Sequence, residues 1–133
     1  MDKHTPEQRS RNMSAVKQRD TGPEIIVRKL LHKLRFRFRL CRKGLPGTPD
    51  IVLPKYKTCI FVHGCFWHHH VGCKRATLPK SNKRFWQEKI LRNQERDSVN
   101  IHDLEDQGWK VLVVWECETK DIAKLELKLS ALQ

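Results

Sequence analysis

Ile25, Ile26, Leu30, Leu31 and Leu34 recur at helical spacing and predict the buried stripe of a first helix. Asp20 or Thr21 caps its start, Pro23 lies in the first turn, and Glu24 faces the positive end of the dipole. Dipole compensation alone is the commoner reason for such a glutamate. From Arg35 to Leu40 the period changes to two, with Phe36, Phe38 and Leu40 alternating with three arginines, as in a half-buried strand. After the turn Leu45-Pro46-Gly47-Thr48-Pro49, Asp50-Ile51-Val52-Leu53 starts a second strand, and Pro54 to Lys57 turns the chain into a third, Cys59-Ile60-Phe61-Val62. This hairpin sets Asp50 beside Val62 and His63.

Beyond a basic connection, Trp86, Ile90, Asn93, Asp97 and Ile101 recur at three- and four-residue steps, predicting a long helix from a Ser81 or Asn82 cap to about Gln107. Gly108 stops it. Trp109 to Trp115 is almost unbroken apolar sequence, the pattern of a central strand covered on both faces. Ile122, Leu125, Leu127, Leu129 and Leu132 then predict an amphipathic helix over 120–132. Helix, hairpin strands, helix, strand, helix is the order of an α/β fold, a mixed sheet flanked by helices.

The length of 133 residues fits one domain. Charge adds a partner: 27 Lys and Arg against 15 Asp and Glu give a net charge of +12, which favours a nucleic-acid polyanion. No apolar run of membrane-spanning length and no signal-peptide core is present, so the expected location is intracellular, with no membrane partner. Residues 1–20 read as a basic arm that orders on DNA, and 21–133 as the catalytic domain. A solvated terminus is the plainer alternative for the arm.

The strand ending at Val62 runs into His63-Gly64-Cys65-Phe66-Trp67-His68-His69-His70, closing on Cys73. Four imidazoles, two thiols and two large rings within eleven residues exceed what packing requires and mark a functional loop. Five cysteines, an odd number, favour metal over disulfides. Cys41 and Cys59 stand apart and carry no role. Cys65, one of His68 to His70, Cys73 and the distant Cys117 form a sulfur and nitrogen set suited to a closed, structural zinc site. Asp50, with His63 and His68, offers a carboxylate for a hard cation such as Mg²⁺ and an imidazole base for phosphodiester hydrolysis. A turn aspartate is the ordinary reading of Asp50 alone.

Arg11-Asn12-Met13-Ser14, Pro46-Gly47-Thr48-Pro49-Asp50, the block from His63 to His70, Phe85-Trp86, the run from Asn93 to Asp97, and Val114-Trp115-Glu116-Cys117 together resemble the very-short-patch-repair (Vsr) DNA mismatch endonucleases. The resemblance covers nearly the whole chain, in order. It implies a restriction-endonuclease-like fold and a nick 5′ of the thymine in T:G mismatches left by deamination of 5-methylcytosine. It further implies that Asp50 and the carbonyl of Val62 bind Mg²⁺, that His68 is the general base oriented by Asp97, and that Glu24 and His63 assist. Restriction nucleases commonly carry an acid-x-lysine triplet where this chain has Phe61-Val62-His63, a departure that agrees with the Vsr pattern. Structural Zn²⁺ falls to Cys65, His70, Cys73 and Cys117; one extra residue before Cys73 leaves His69 as the neighbouring alternative to His70.

The same resemblance makes Phe66, Trp67 and Trp86 rings that wedge into the duplex, with Met13 entering from the opposite groove and Arg11 and Asn12 in the DNA-binding arm. It implies a bacterial-type, nucleoid-associated monomer working beside a cytosine-5 DNA methyltransferase and a repair polymerase and ligase. Two other readings fit part of this pattern: a zinc-bearing, non-catalytic DNA-binding module, and an endonuclease of the same fold with another DNA substrate.

Overall fold

The computed structural model describes residues 21–40, 43–70, 72–74 and 78–133. Four strands, β1 (Arg39–Leu40), β2 (Ile51–Leu53), β3 (Thr58–His63) and β4 (Lys110–Trp115), form one sheet in the order β1-β2-β3-β4. β1 and β2 are antiparallel, as are β2 and β3, whereas β3 and β4 are parallel, so the sheet is mixed as the sequence predicts. Helices α1 (Gly22–Lys33), α2 (Lys83–Asp106) and α3 (Ile122–Ser130) flank it.

Period-two alternation sorts the core into two layers. Ile51, Leu53, Ile60 and Val114 face α1 and α3, packing on Val27, Leu30, Leu31, Leu125 and Leu129. Val52, Cys59 and Phe61 face the other way, onto Leu104 of α2. Thr21 is the cap of α1, its hydroxyl accepting from the amide of Glu24 at 3.4 Å.

Several elements depart from expectation. The run 35–40 pairs only at Arg39–Leu40, because α1 closes with a Schellman motif that consumes its start. The amide of Arg35 donates to His32 O at 3.0 Å and that of Phe36 to Leu31 O at 2.9 Å, with Arg35 at a φ of 65°. Phe36 enters the core there instead of extending a strand. β4 lies at the end of the strand order, and β3 holds the interior position predicted for it; β4 is still covered from both sides by the two core layers.

The α1 stripe is centred on Val27, fully buried, while Ile25 is exposed, a rotation of the inferred face. Ile122 and Leu127 are likewise exposed, so Leu125 and Leu129 are the buried apolar residues of α3, which spans Ile122–Ser130. Asn82 occupies the cap position of α2 at a φ of 55°, without a side-chain capping bond. No helix among the described residues is long and apolar enough to cross a membrane.

Candidate active site and metal cluster

Three chain ends converge on one edge of the sheet. β3 and β4 run parallel with His63 opposite Trp115, so the segments that leave their carboxyl ends, 64–70 and 116–120, emerge side by side. β2 runs against β3, which puts Asp50, the residue just before β2, at the same edge. This is where open α/β sheets hold ligands.

Asp50 Oδ2 accepts the amide of Val62 at 2.8 Å. Burial pushes the Asp50 carboxyl up to about 6, with Glu24 adding to the rise and the Val62 bond and nearby His68 and Arg28 opposing it. Glu24, in the first turn of α1 and 2 % exposed, binds Arg28 at 3.2 Å one helical turn on. His68 Nδ1 lies 2.5 Å from Asp97 Oδ2 on α2. The imidazole of His63 stacks on that of His68, centroids 3.8 Å apart and planes within 6°. Burial first, then the neighbouring His68, lowers the His63 pKa to about 4, against the pull of Asp97. His63 is therefore neutral near neutral pH. The expected residues Asp50, His63, His68, Glu24 and Asp97 thus share one site.

Cys65, His70, Cys73 and Cys117 form a second cluster, their donor atoms all within 4.8 Å of one another. His70 Nδ1 is 3.7 Å from Cys65 Sγ and 3.3 Å from Cys117 Sγ. A tetrahedral ion with ~2.3 Å metal–sulfur bonds needs donor separations of about 3.8 Å, so three sulfurs and one nitrogen fit such an ion. Burial, reinforced by the adjoining thiols, pushes Cys65 up to about 12, while the amide of Cys117, 3.4 Å from its sulfur, works the other way. Crowded thiols of this kind ionise readily only against a cation. His70 is the histidine in this cluster; His69, held at a φ of 51°, is outside it.

The aromatic residues form a third group. Phe66 packs edge-on against Trp67 and Trp86, with centroids 5.2 Å and 5.4 Å away, and Trp67 and Trp86 are 5.8 Å apart. Lys89 Nζ stands over the rings of Trp67 and Trp86. Met13, Arg11 and Asn12 lie outside the described residues.

Arg28, Asn93 and Trp115 also belong to this site, although the sequence marks Asn93 and Trp115 only as helix, strand and motif positions. Arg28 was detectable as the residue four after a buried helix-start acid. Asn93 Nδ2 donates to Trp67 O at 3.1 Å and pins the histidine loop to α2, a contact with no local sequence signal. Trp115 stacks on His70, centroids 4.3 Å apart and planes within 6°, and meets His63 edge-on at 5.3 Å.

The profile described as DNA mismatch endonuclease Vsr matches residues 1–75. The type II nicking enzyme V.XorIIP of Xanthomonas oryzae pv. oryzae is 49 % identical over 128 residues, 96 % of this chain and 93 % of the relative. V.NmeAIP of Neisseria meningitidis serogroup A, also a type II nicking enzyme, is 48 % identical over 96 % of this chain and 91 % of its own length. DNA mismatch endonuclease Vsr of Escherichia coli K12 is 44 % identical over 93 % of this chain and 79 % of its own. With a carboxylate beside an aimed imidazole, a closed cysteine cluster and these relatives along almost its full length, the chain belongs to the Vsr family of DNA mismatch endonucleases.

Proposed function

We propose that this mismatch endonuclease nicks one strand on the 5′ side of the thymine in a T:G pair, with Asp50, His68 and Asp97 at its chemical centre. The observation that carries this reading is the His68–Asp97 contact at 2.5 Å, set close enough to Asp50 for His68 to oppose the rise in its pKa. With Asp97 accepting from Nδ1–H, the Nε2 of His68 is left as a lone-pair acceptor. It can take the proton of an attacking water, while Asp97 steadies the imidazolium that forms.

Asp50 supplies a hard carboxylate oxygen for Mg²⁺. In an extended strand a residue's N–H and C=O point to the same edge, so the Val62 carbonyl faces the side on which its amide meets Asp50. When bound, the cation offsets charge on the phosphate and on the leaving oxygen. Glu24, held by Arg28, adds negative charge beside Asp50, which favours a cation there. His63, neutral and stacked on His68, fixes the plane of the base.

Zn²⁺ on Cys65, His70, Cys73 and Cys117 would be structural, because the set of four donors leaves no open position. Phe66, Trp67 and Trp86 would enter the duplex at the mismatch, where unstacking costs least. The basic segment 1–20, containing Arg11, Asn12 and Met13, would close around the DNA as a monomeric clamp. Beside a cytosine-5 methyltransferase, the nick would hand the strand to a repair polymerase and ligase.

Matched and T:G duplexes of one sequence, incubated with Mg²⁺ and the wild-type chain, test the reading. A single-strand nick confined to the mismatch is expected, whereas equal cutting of both duplexes, or double-strand breaks, would overturn it. Asp50→Ala should bind the mismatched duplex without nicking it; nicking equal to wild type removes Asp50 from the centre and leaves the cation without its carboxylate.

A further inference from the structure

The four-donor cluster and the proposed catalytic histidines are joined by an unbroken series of rings. His70 of the cluster lies flat on Trp115, Trp115 meets His63 edge-on, His63 lies flat on His68, and His68 ends on Asp97. We infer that Trp115 is a positioning residue that transmits the order of the metal cluster to the base His68. This rests on the nuclease reading above, but the metal and catalytic assignments do not by themselves require it.

Trp115 is fixed independently of the rings it touches. Its backbone amide donates to Glu118 Oε1 at 2.9 Å. Lys128 of α3 donates to both oxygens of that carboxylate, at 2.9 Å and 3.0 Å, and to the carbonyl of Val113 at 3.0 Å. The backbone of Trp115 is thus held by Glu118 and, through that carboxylate, by Lys128 of α3, neither of which is a proposed catalytic group. With its backbone held, the indole yields only by tilting about its side-chain torsions, so a shift of His70 on its face is delivered to His63 at its edge. His63 and His68 approach at 3.8 Å, ordinary contact distance for stacked rings, and leave little slack in that series. The cost of a loosened link is large, since misplacing a catalytic group by about 1 Å can lower a rate ~100-fold.

The test uses the full-length, zinc-loaded chain, Trp115→Ala and Trp115→Phe. Imidazole resonances of His63 and His68 are followed by NMR as a chelator withdraws zinc, and nicking of a T:G duplex is measured on the loaded proteins. In the wild type, chelation should move the resonances of both histidines; in Trp115→Ala it should leave them in place. Loaded Trp115→Ala should keep its zinc and its KM within about twofold, with kcat down roughly ten- to a hundredfold. Trp115→Phe, which keeps a flat ring, should recover most of kcat.

Equal chelator response in Trp115→Ala and wild type overturns the inference. So does wild-type kcat in Trp115→Ala, or loss of zinc in parallel with activity, which would make the indole only a support for His70. Should Trp115→Ala not fold, Lys128→Met decides it, loosening the hold on the Trp115 backbone without touching a ring; a kcat loss of about threefold or more with zinc retained is expected, and unchanged kcat overturns it. A wild-type chain that fails to nick T:G duplex sinks the functional reading, while the chelation response still reports on the ring series.

Discussion

Cys65 and His68 stand three residues apart in one loop, yet they belong to sites built on opposite principles. The Cys65 site turns soft donors inward: three sulfurs and an imidazole mutually within reach, and Cys65 itself fully buried. The His68 site turns hard oxygen and nitrogen groups toward one another, a half-buried imidazole and carboxylate in direct contact beside a second carboxylate. In the first, every donor is spent on closure, the signature of a support. In the second, His68 Nδ1 meets Asp97 and Asp50 accepts the Val62 amide, an arrangement that on the proposed reading leaves His68 Nε2 and an Asp50 oxygen for substrate and cation. On the proposed reading a support and a reactive centre share a single loop, and perturbing each should give different signatures.

The sharpest break is at Asp50. Asp50→Asn should lower kcat by about a thousandfold or more if, as proposed, the carboxylate holds the cation that offsets several kcal/mol of developing charge. Its melting temperature should not fall, because the substitution removes a buried charge; a nicking assay beside a thermal melt checks both. Next is Asp97→Asn, which keeps the size of the side chain but can present its amide to His68 Nδ1. A kcat loss of about a hundredfold, with duplex affinity retained, is expected from loss of an oriented base.

At the support the order reverses. Cys117→Ser should lower the melting temperature by about 10 °C or more and release bound zinc, measurable by a metal-binding dye during the melt. Smaller is the effect of Trp86→Ala, expected to cut discrimination between T:G and matched duplex by roughly tenfold while moving the melting temperature little, as fits one stacking ring.

Acidity separates the regions further. The Asp50 pKa is about 6 in the folded chain against an ordinary 3.8, so the folded state holds this proton more tightly. Without divalent cation, its contribution to stability is full below the ordinary value and is lost as pH rises through about 6. Thermal melts in EDTA from pH 4 to 7 should show that loss in wild type relative to Asp50→Asn, and Mg²⁺ should offset it. Parallel curves for the two proteins would contradict it.

Much of this arrangement was legible because short-range grammar dictated it. The Pro-Asp turn and the tight connection at Pro54–Lys57 bring Asp50 to Val62, and the break at Gly108, with a φ of 87°, returns the chain as β4 beside β3. Cys117 joins the histidine loop because it follows that strand. What stayed hidden depends on partners distant in sequence. The position of β4 at the sheet end is a matter of strand order, which an apolar run does not encode. Arg35 and Phe36 look like strand until the helix before them recruits their amides. Ile25 and Val27 are two residues apart, and only the packing of α1 against β2 and β3 chose between them. Trp115 reads as the last apolar residue of a strand, and its flat contact with His70 comes from the parallel register.

That parallel register also has a consequence for synthesis. β3 gains its neighbour only after α2 has been made and the chain has turned at Gly108, and Cys117 follows later still. A nascent polypeptide that has left the ribosome only through Asp97 carries the side chains proposed for hydrolysis but neither β4 nor Cys117. On that reading cutting ability arrives only after β4 and Cys117 have been made, and products of a message interrupted before them would pose little danger to the chromosome.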